Sequence, residues 1–317
     1  MRVLITRLLP DAVIAAARAR FDVTLRGLGL PMSAEEAAAA LRDYDAVLPT
    51  LGDAFGTSAF DAVDAPRCRL LANFGVGYNH IDAVAAKAKG IAVTNTPGAV
   101  TDATADIAMM LILMSARRAS EGERLVRAGQ WTGWHPVQML GQHVTGKTLA
   151  IIGMGRIGKA IARRAHFGFG MRIVFFNRSP VADAGMPAVQ AATVAEAMAA
   201  GDFVVTAVPG GPATRHIIGA DALAAMQPHA HLVNIARGDV VDEAALIAAL
   251  TERRIAGAGL DVYEREPVVP EALKALNNVT LLPHLGTATS EVRTAMGMMA
   301  VENLLAFAEG RALINPV

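Results

Sequence analysis

Short apolar runs alternate with alanine-rich stretches along most of this chain. The runs are RVLIT (2–6), AVLPT (46–50), LLANFG (70–75), IAVTNT (91–96), LAIIG (149–153), RIVFFN (172–177), FVVTAV (203–208), HLVNIA (231–236), AGAGLDV (256–262) and VTLLPH (279–284). None alternates strictly between polar and apolar positions, so each reads as a strand buried on both faces. Between many of them lie segments of helical period, such as AEEAAAALRDY (34–44) and DEAALIAALTERR (242–254). Strand and helix in alternation predict an α/β protein with doubly wound parallel sheets.

The pattern changes after residue 96. TDATADIAMMLILMSARRASEGERLVRAG (101–129) supports one long helix, opened by the polar pair Thr101 and Asp102 and ended near Gly129. A linker-like stretch, GQWTGWHPVQMLGQHVTGK (129–147), leads from it into a glycine-rich loop. The expected domains are residues 1–98 and 99–286, with the C-terminal helix SEVRTAMGMMAVENLLAFAEG returning to the first, so that 287–317 join it.

Composition narrows the class. A chain of 317 residues with 53% apolar and 18% charged residues has the profile of an ordinary globular protein, long enough for two cores. Basic and acidic residues balance at 29 each, which argues against nucleic acid or an anionic membrane as a partner. The single cysteine, Cys68, cannot close an intramolecular disulfide, which fits a reducing, cytoplasmic compartment. Arg7, Pro10 and Asp11 interrupt the N-terminal apolar residues, so no secretory signal is expected. The most apolar segment, IAMMLILMSA (107–116), is about half of a membrane span and reads as a buried helix. No metal site is expected.

A glycine loop carries the first chemistry. Gly153, Gly155 and Gly158 follow the apolar run LAIIG at once, and RIGKAIARRAHFGF (156–169) supports a helix behind them. That is the strand, turn and helix context which gives a G-x-G-x-x-G spacing its meaning. Gly153 permits the tight turn, Gly155 lets the backbone approach a pyrophosphate, and Gly158 lets helix and strand pack closely. The next strand ordinarily ends in an acid that holds the adenine ribose; here it ends in Asn177, Arg178 and Ser179. A guanidinium and a hydroxyl suit a 2′-phosphate, so the missing acid points to NADP, with NADH as a weaker alternative. The competing reading of Arg178 is a solvated turn residue.

Arg237, Glu266 and His284 each follow an apolar run, in VNIARGDVVDE, GLDVYEREP and LLPHLG. Ligands of open parallel sheets bind beyond the carboxyl ends of strands, so the three fit one crevice. Singly, each has a plain alternative: a surface ion pair, a solvated turn residue, a capped loop histidine. Together they fit the reduction of a 2-keto acid, which needs a fixed cation for the carboxylate, a proton donor for the carbonyl oxygen and a hydride source. Glu266 beside His284 would favour the imidazolium and fix its orientation.

NFGVGYNHID, TDATADIAMMLILMSARR, GMGRIG, VPGGPATRHIIG, VNIARGDVVDE, GLDVYEREP and LLPHLGTAT occur here in the order they take in the D-isomer-specific 2-hydroxyacid dehydrogenase family, which the chain resembles over essentially its whole length. GQWTGWHP is most similar to the glyoxylate and hydroxypyruvate reductase branch. The resemblance implies a flavodoxin-like substrate domain formed by both chain ends, hinged to a Rossmann dinucleotide-binding domain, with the active site in the cleft. It maps the catalytic Arg, Glu and His onto Arg237, Glu266 and His284, and gives the substrate carboxylate the amides of Val76 and Gly77 beside Arg237. Asp261 would contact the nicotinamide amide. Thr104, Arg156, Ile157, Val208, Pro209, Thr214, Ile235, Ala236 and Gly286 would line the cofactor. The family is commonly a homodimer, in which Trp131 or Trp134 would close the neighbour's substrate pocket.

The reading is therefore an NADPH-dependent reductase of glyoxylate and hydroxypyruvate. Phosphoglycerate oxidation fits less well, because the chain ends at ALINPV without an appended regulatory domain, and formate oxidation because the relatives that perform it resemble this chain with Gln in place of Glu266. The alternatives are a dinucleotide-sensing binding protein or corepressor of the same fold, or an NAD-dependent dehydrogenase of another D-2-hydroxy acid.

Overall fold

A computed structural model describes residues 1–27 and 29–317, and the chain divides into two compact units, Met1–Val100 with Thr287–Val317, and Thr101–Gly286. The first unit runs β1 (Arg2–Ile5), α1 (Asp11–Arg18), β2 (Asp22–Leu25), α2 (Ala34–Asp43), β3 (Ala46–Leu48), α3 (Thr57–Asp61), β4 (Leu70–Ala72), α4 (Ala83–Ala88) and β5 (Ala92–Thr94). Its strands form one parallel sheet in the order β2-β1-β3-β4-β5. Val3 and Ile5 pack on one face with Leu48 and Leu70, while Leu4 turns to the other with Val47 and Leu71. Both faces are covered, which is why the runs read as continuous apolar stretches.

The second unit runs α5 (Thr101–Ala116), α6 (Ala119–Arg127), β6 (Thr148–Ile152), α7 (Arg156–Phe169), β7 (Arg172–Phe176), β8 (Ala188–Gln190), α8 (Val194–Ala200), β9 (Phe203–Thr206), α9 (Ala220–Ala224), β10 (His231–Asn234), α10 (Glu243–Thr251), β11 (Gly257–Leu260), α11 (Glu271–Lys274) and β12 (Val279–Leu281). The chain then forms α12 (Ser290–Ala308), which packs on α1 in the first unit. A Cβ at Gly297 would stand 2.4 Å from Val13 Cγ2, so the two helices approach at this glycine.

The second sheet is also parallel throughout, ordered β12-β11-β10-β9-β6-β7-β8. From β6 the chain builds outward through β7 and β8, then returns to the far side of β6 for β9. The carboxyl ends of β6 and β9 therefore flank the point where strand order reverses, where open α/β sheets bind ligands. Every apolar run named above forms a strand.

Two corrections concern elements. The segment 101–129 is two helices: Arg118 takes the left-handed conformation (φ 53°) and separates α5 from α6. A returning loop stabilises the break, because the Gln142 amide donates to Ala116 O at 2.7 Å and caps the end of α5. A Cβ at Gly141 would lie 2.4 Å from that same oxygen, so only glycine permits the approach. Strands β2 and β8 were not expected. Each lies at an edge of its sheet and is partly exposed, so neither carries an apolar run.

The segment 107–116 lies within α5, where Ala108, Leu111 and Ile112 are buried against β10 and β11. Among the described residues, no helix is long and apolar enough to cross a membrane.

Candidate active site

The three glycines after β6 differ in what surrounds them. Gly153 has φ 106°, and a Cβ there would lie 2.7 Å from the Ala207 carbonyl and 2.9 Å from Val208. At Gly158 the added carbon would stand 2.1 Å from Gly153 O, so the first turn of α7 sits directly on the loop. Gly155, the N-cap of α7, faces open space. Two glycines are demanded by protein packing and the middle one leaves room in front of the helix N-terminus, where unbonded amides and the helix dipole favour an anion. On this observation a dinucleotide pyrophosphate fits. Arg156 opens α7 and is exposed; Ile157 is partly buried against the core.

At the end of β7, Asn177 faces inward and the residues that follow it face outward. Met154 N–H donates to Asn177 Oδ1 at 3.2 Å, and Asn177 Nδ2 donates to Ser179 O at 2.9 Å, tying the β7 loop to the glycine loop. Arg178 and Ser179 are exposed.

Arg237, Glu266 and His284 are brought together. His284 Nδ1 lies 2.8 Å from Glu266 Oε2, and the Tyr263 amide donates to Glu266 Oε1 at 3.1 Å. Burial alone would raise the Glu266 carboxyl, but the His284 hydrogen bond and charge, the Tyr263 amide and the Arg237 charge outweigh it and hold the group below its usual range. The ionised carboxylate only accepts, so Nδ1 carries the proton of that bond and Nε2 is the ring nitrogen turned elsewhere. Burial draws the Arg237 guanidinium down, while the charges of Glu266 and Asp239 oppose this. Arg237 Nη1 donates to Ala236 O at 2.7 Å, and its side chain lies over Gly210, where a Cβ would meet Arg237 Cγ at 2.6 Å.

Buried polar groups fix the strand ends beneath these side chains. Asn234, at the end of β10, accepts at Oδ1 from Thr206 Oγ1 (2.6 Å) and from the Ala236 amide (3.1 Å), and donates through Nδ2 to Arg237 O (2.9 Å). Sequence reasoning did not single out Asn234, although a polar residue ending a fully buried run is a visible signal of such a strut. Tyr263, also unanticipated, donates its hydroxyl to Leu282 O at 2.9 Å and so ties the end of β11 to that of β12. At Gly238 a Cβ would stand 1.9 Å from the Tyr263 carbonyl carbon, so the turn after Arg237 lies against the segment that carries Glu266.

Asp261 is 1% exposed and accepts the Leu285 amide at Oδ1 (2.6 Å) and the Gly286 amide at Oδ2 (2.8 Å). Burial is the largest influence on its carboxyl and raises it, although both amides and the His284 charge pull the other way. Its backbone carbonyl accepts the His284 amide at 3.0 Å, and His284 is held at φ 54°, in the left-handed region that a histidine seldom occupies. Thr104 donates to Gly286 O at 3.3 Å from α5, and Ile235 and Ala236 are buried at the end of β10. Thr214 Oγ1 donates to Pro209 O at 2.6 Å, closing the turn after β9 that also holds Val208.

In the first unit, the carbonyls of Val76 and Gly77 accept from the side-chain amides of Asn95 (2.9 Å) and Asn73 (3.1 Å), and among the described residues their N–H groups donate no hydrogen bond. A pair of unbonded successive amides suits an anion. In the second unit Trp131 and Trp134 are 54% and 79% exposed, so neither belongs to the core of this chain.

A parallel sheet with a glycine loop at its switch point and a carboxylate–histidine pair beyond two of its strands defines a dinucleotide-dependent oxidoreductase. Residues 109–286 match the family model of the D-isomer specific 2-hydroxyacid dehydrogenase, NAD binding domain. The glyoxylate reductase of Thermococcus gammatolerans is 45% identical over 315 residues, covering 98% of this chain and 93% of its own. The glyoxylate reductase of Pyrococcus furiosus is 43% identical over 314 residues, with coverage of 98% and 93%. The crystal structure of an NADPH-dependent glyoxylate/hydroxypyruvate reductase from Sinorhizobium meliloti, in complex with NADP and malonate, is similar with a TM-score of 0.89 at 36% identity, covering 100% of this chain and 96% of that one. The chain belongs to the D-isomer specific 2-hydroxyacid dehydrogenase family. At that level its chemistry is the interconversion of 2-keto and 2-hydroxy acids.

Proposed function

We propose that the protein is an NADPH-dependent reductase of small 2-keto acids, with glyoxylate and hydroxypyruvate as substrates. The observation that carries this reading is the 2.8 Å contact of His284 Nδ1 with Glu266, in the same unit as the glycine loop. The reduced nicotinamide, when bound, supplies the hydride. His284 delivers a proton from Nε2 to the substrate's carbonyl oxygen, since Nδ1 is engaged by Glu266. Arg237 pairs with the substrate carboxylate through its planar guanidinium, which is partly desolvated and held by Ala236. The free amides of Val76 and Gly77 are proposed to serve the same carboxylate.

Thr104, Gly153, Gly155, Arg156, Ile157, Gly158, Asn177, Val208, Pro209, Thr214, Ile235, Ala236, Asp261 and Gly286 are proposed to line the cofactor. For NADPH the supporting observation is the exposed Arg178 and Ser179 at the end of β7, with no acidic side chain at that strand end. The unit Met1–Val100 with Thr287–Val317 takes the part of substrate domain. The protein acts as a cytoplasmic homodimer in this reading.

The test is a side-by-side panel of glyoxylate, hydroxypyruvate and pyruvate with both reduced cofactors. The reading expects NADPH oxidation with the first two at the highest kcat/KM. No turnover with any keto acid, combined with tight dinucleotide binding, would instead make the protein a dinucleotide sensor.

A further inference from the structure

The loop that bears Arg178 is held by a side chain from the next strand. Gln190 ends the edge strand β8, where it is in register with Phe175 of β7. Its Nε2 donates to Asn177 O and to Ser179 O, both at 3.2 Å, and its Oε1 accepts the Val181 amide at 3.0 Å. One primary amide thus uses both N–H groups and its oxygen on a single five-residue turn. Ser179 O also accepts Asn177 Nδ2 at 2.9 Å, so the carbonyls of Asn177 and Ser179 face the amide side chains. With those carbonyls gathered inward, the Arg178 and Ser179 side chains are left on the outside, where both are exposed.

We propose that Gln190 is a positioning residue for cofactor choice: it shapes the 177–181 turn so that Arg178 and Ser179 stand ready for the 2′-phosphate of NADP. The inference rests on the assignment of Arg178 to that phosphate. Gln190 itself offers the phosphate nothing, because its amide is committed to the backbone. Its contribution is preorganisation of the backbone, sparing the ligand the cost of ordering an exposed turn. Gln190 is exposed and packs into no core, so the residue is open to substitution without loss of the fold.

The experiment measures dissociation constants of NADP⁺, NAD⁺ and adenosine 2′,5′-bisphosphate by calorimetry for the wild type, Gln190→Leu, Gln190→Glu, Arg178→Ala and the double variant Gln190→Leu/Arg178→Ala. Gln190→Leu should weaken NADP⁺ and the bisphosphate roughly three- to tenfold, the range set by hydrogen bonds of ordinary strength, and leave NAD⁺ unchanged. Gln190→Glu keeps the acceptor for Val181 but turns a carboxylate toward two carbonyls, and should lose at least as much. In the Arg178→Ala background, Gln190→Leu should have little further effect, because the group it positions is gone.

Equal weakening of NADP⁺ and NAD⁺ by Gln190→Leu would reduce Gln190 to a general loop strut and overturn the proposal, as would full additivity with Arg178→Ala. If Arg178→Ala itself leaves NADP⁺ affinity intact, the phosphate assignment falls and this inference with it. If Arg178→Ala weakens NADP⁺ but neither Gln190 variant does, only the inference falls.

Discussion

Arg237 and Arg178 stand beyond the carboxyl ends of two strands of one sheet, β10 and β7, yet the protein treats them in opposite ways. Arg237 is partly buried, lies over Gly210 and is bonded to Ala236 O, and the preceding strand end is locked by Asn234. Arg178 is exposed, and only its backbone is held. A guanidinium fixed before the ligand arrives recognises shape, because its ordering cost was met in folding. One left in solvent must be ordered by the ligand, so it discriminates by charge and by a smaller margin. The difference teaches where this fold keeps chemistry and where it keeps choice: the first among buried struts around β10, β11 and β12, the second on an edge that side chains alone can reshape.

The largest effect should come from the buried side of that contrast. His284→Ala is expected to lower kcat for keto-acid reduction by roughly a hundredfold or more, since general acid catalysis contributes about 10²–10⁴. NADP⁺ affinity by calorimetry should hold, because the variant does not touch the glycine loop. Near-normal turnover would move the proton donor elsewhere.

The exposed side should respond more modestly and only in selectivity. Arg178→Ala should remove roughly a ten- to hundredfold preference for NADPH in kcat/KM, as expected for a charged hydrogen bond of about 1.5–3 kcal/mol. NADH kinetics should barely change. Adding Asn177→Asp should then favour NADH, and the bond from Met154 N–H can survive because a carboxylate still accepts it. A wild-type enzyme indifferent to the 2′-phosphate would erase the distinction between the two arginines.

The smallest expected effect is a shift along the pH axis. Glu266 is held below the usual carboxylate range, so it stays ionised at neutral pH and accepts the His284 Nδ1 proton as an anion. Glu266→Gln removes that anion from beside the imidazole while keeping a side chain that can still accept from Nδ1. Keto-acid reduction should then fail at a lower pH than in the wild type. An unshifted alkaline limb in the kcat/KM profile would mean that the carboxylate only orients the ring.

Much of this was legible in the sequence because burial writes plainly. Strands covered on both faces, such as LAIIG and HLVNIA, appear as unbroken apolar runs, and α7 spans the residues expected of it, Arg156–Phe169. The strands that escaped, DVTL and AVQ, lie at sheet edges, where half-exposed positions have no need of apolar residues. The break between α5 and α6 was hidden for another reason. Nothing local forbids a helix through Arg117 and Arg118; the interruption depends on Gly141 and Gln142 arriving from further along the chain. Asn234 and Gln190 illustrate the same limit, for all but one of their partners, the Thr206 hydroxyl on Asn234, are backbone groups, and a backbone amide has no letter in the sequence.

The carboxylate of Asp261 has an implication for anyone who redesigns this site. It grips two successive main-chain amides, and its own backbone carbonyl takes a third, from His284. The bend that aims the imidazole is therefore drawn in peptide groups, with the Leu285 side chain taking no part in those bonds. Mutational freedom should be distributed accordingly: the letter at 285 can be rewritten within the limits of its packing, while an edit at 261, which touches no reacting atom in this scheme, releases two of the three amides at once and leaves only the main-chain bond to His284.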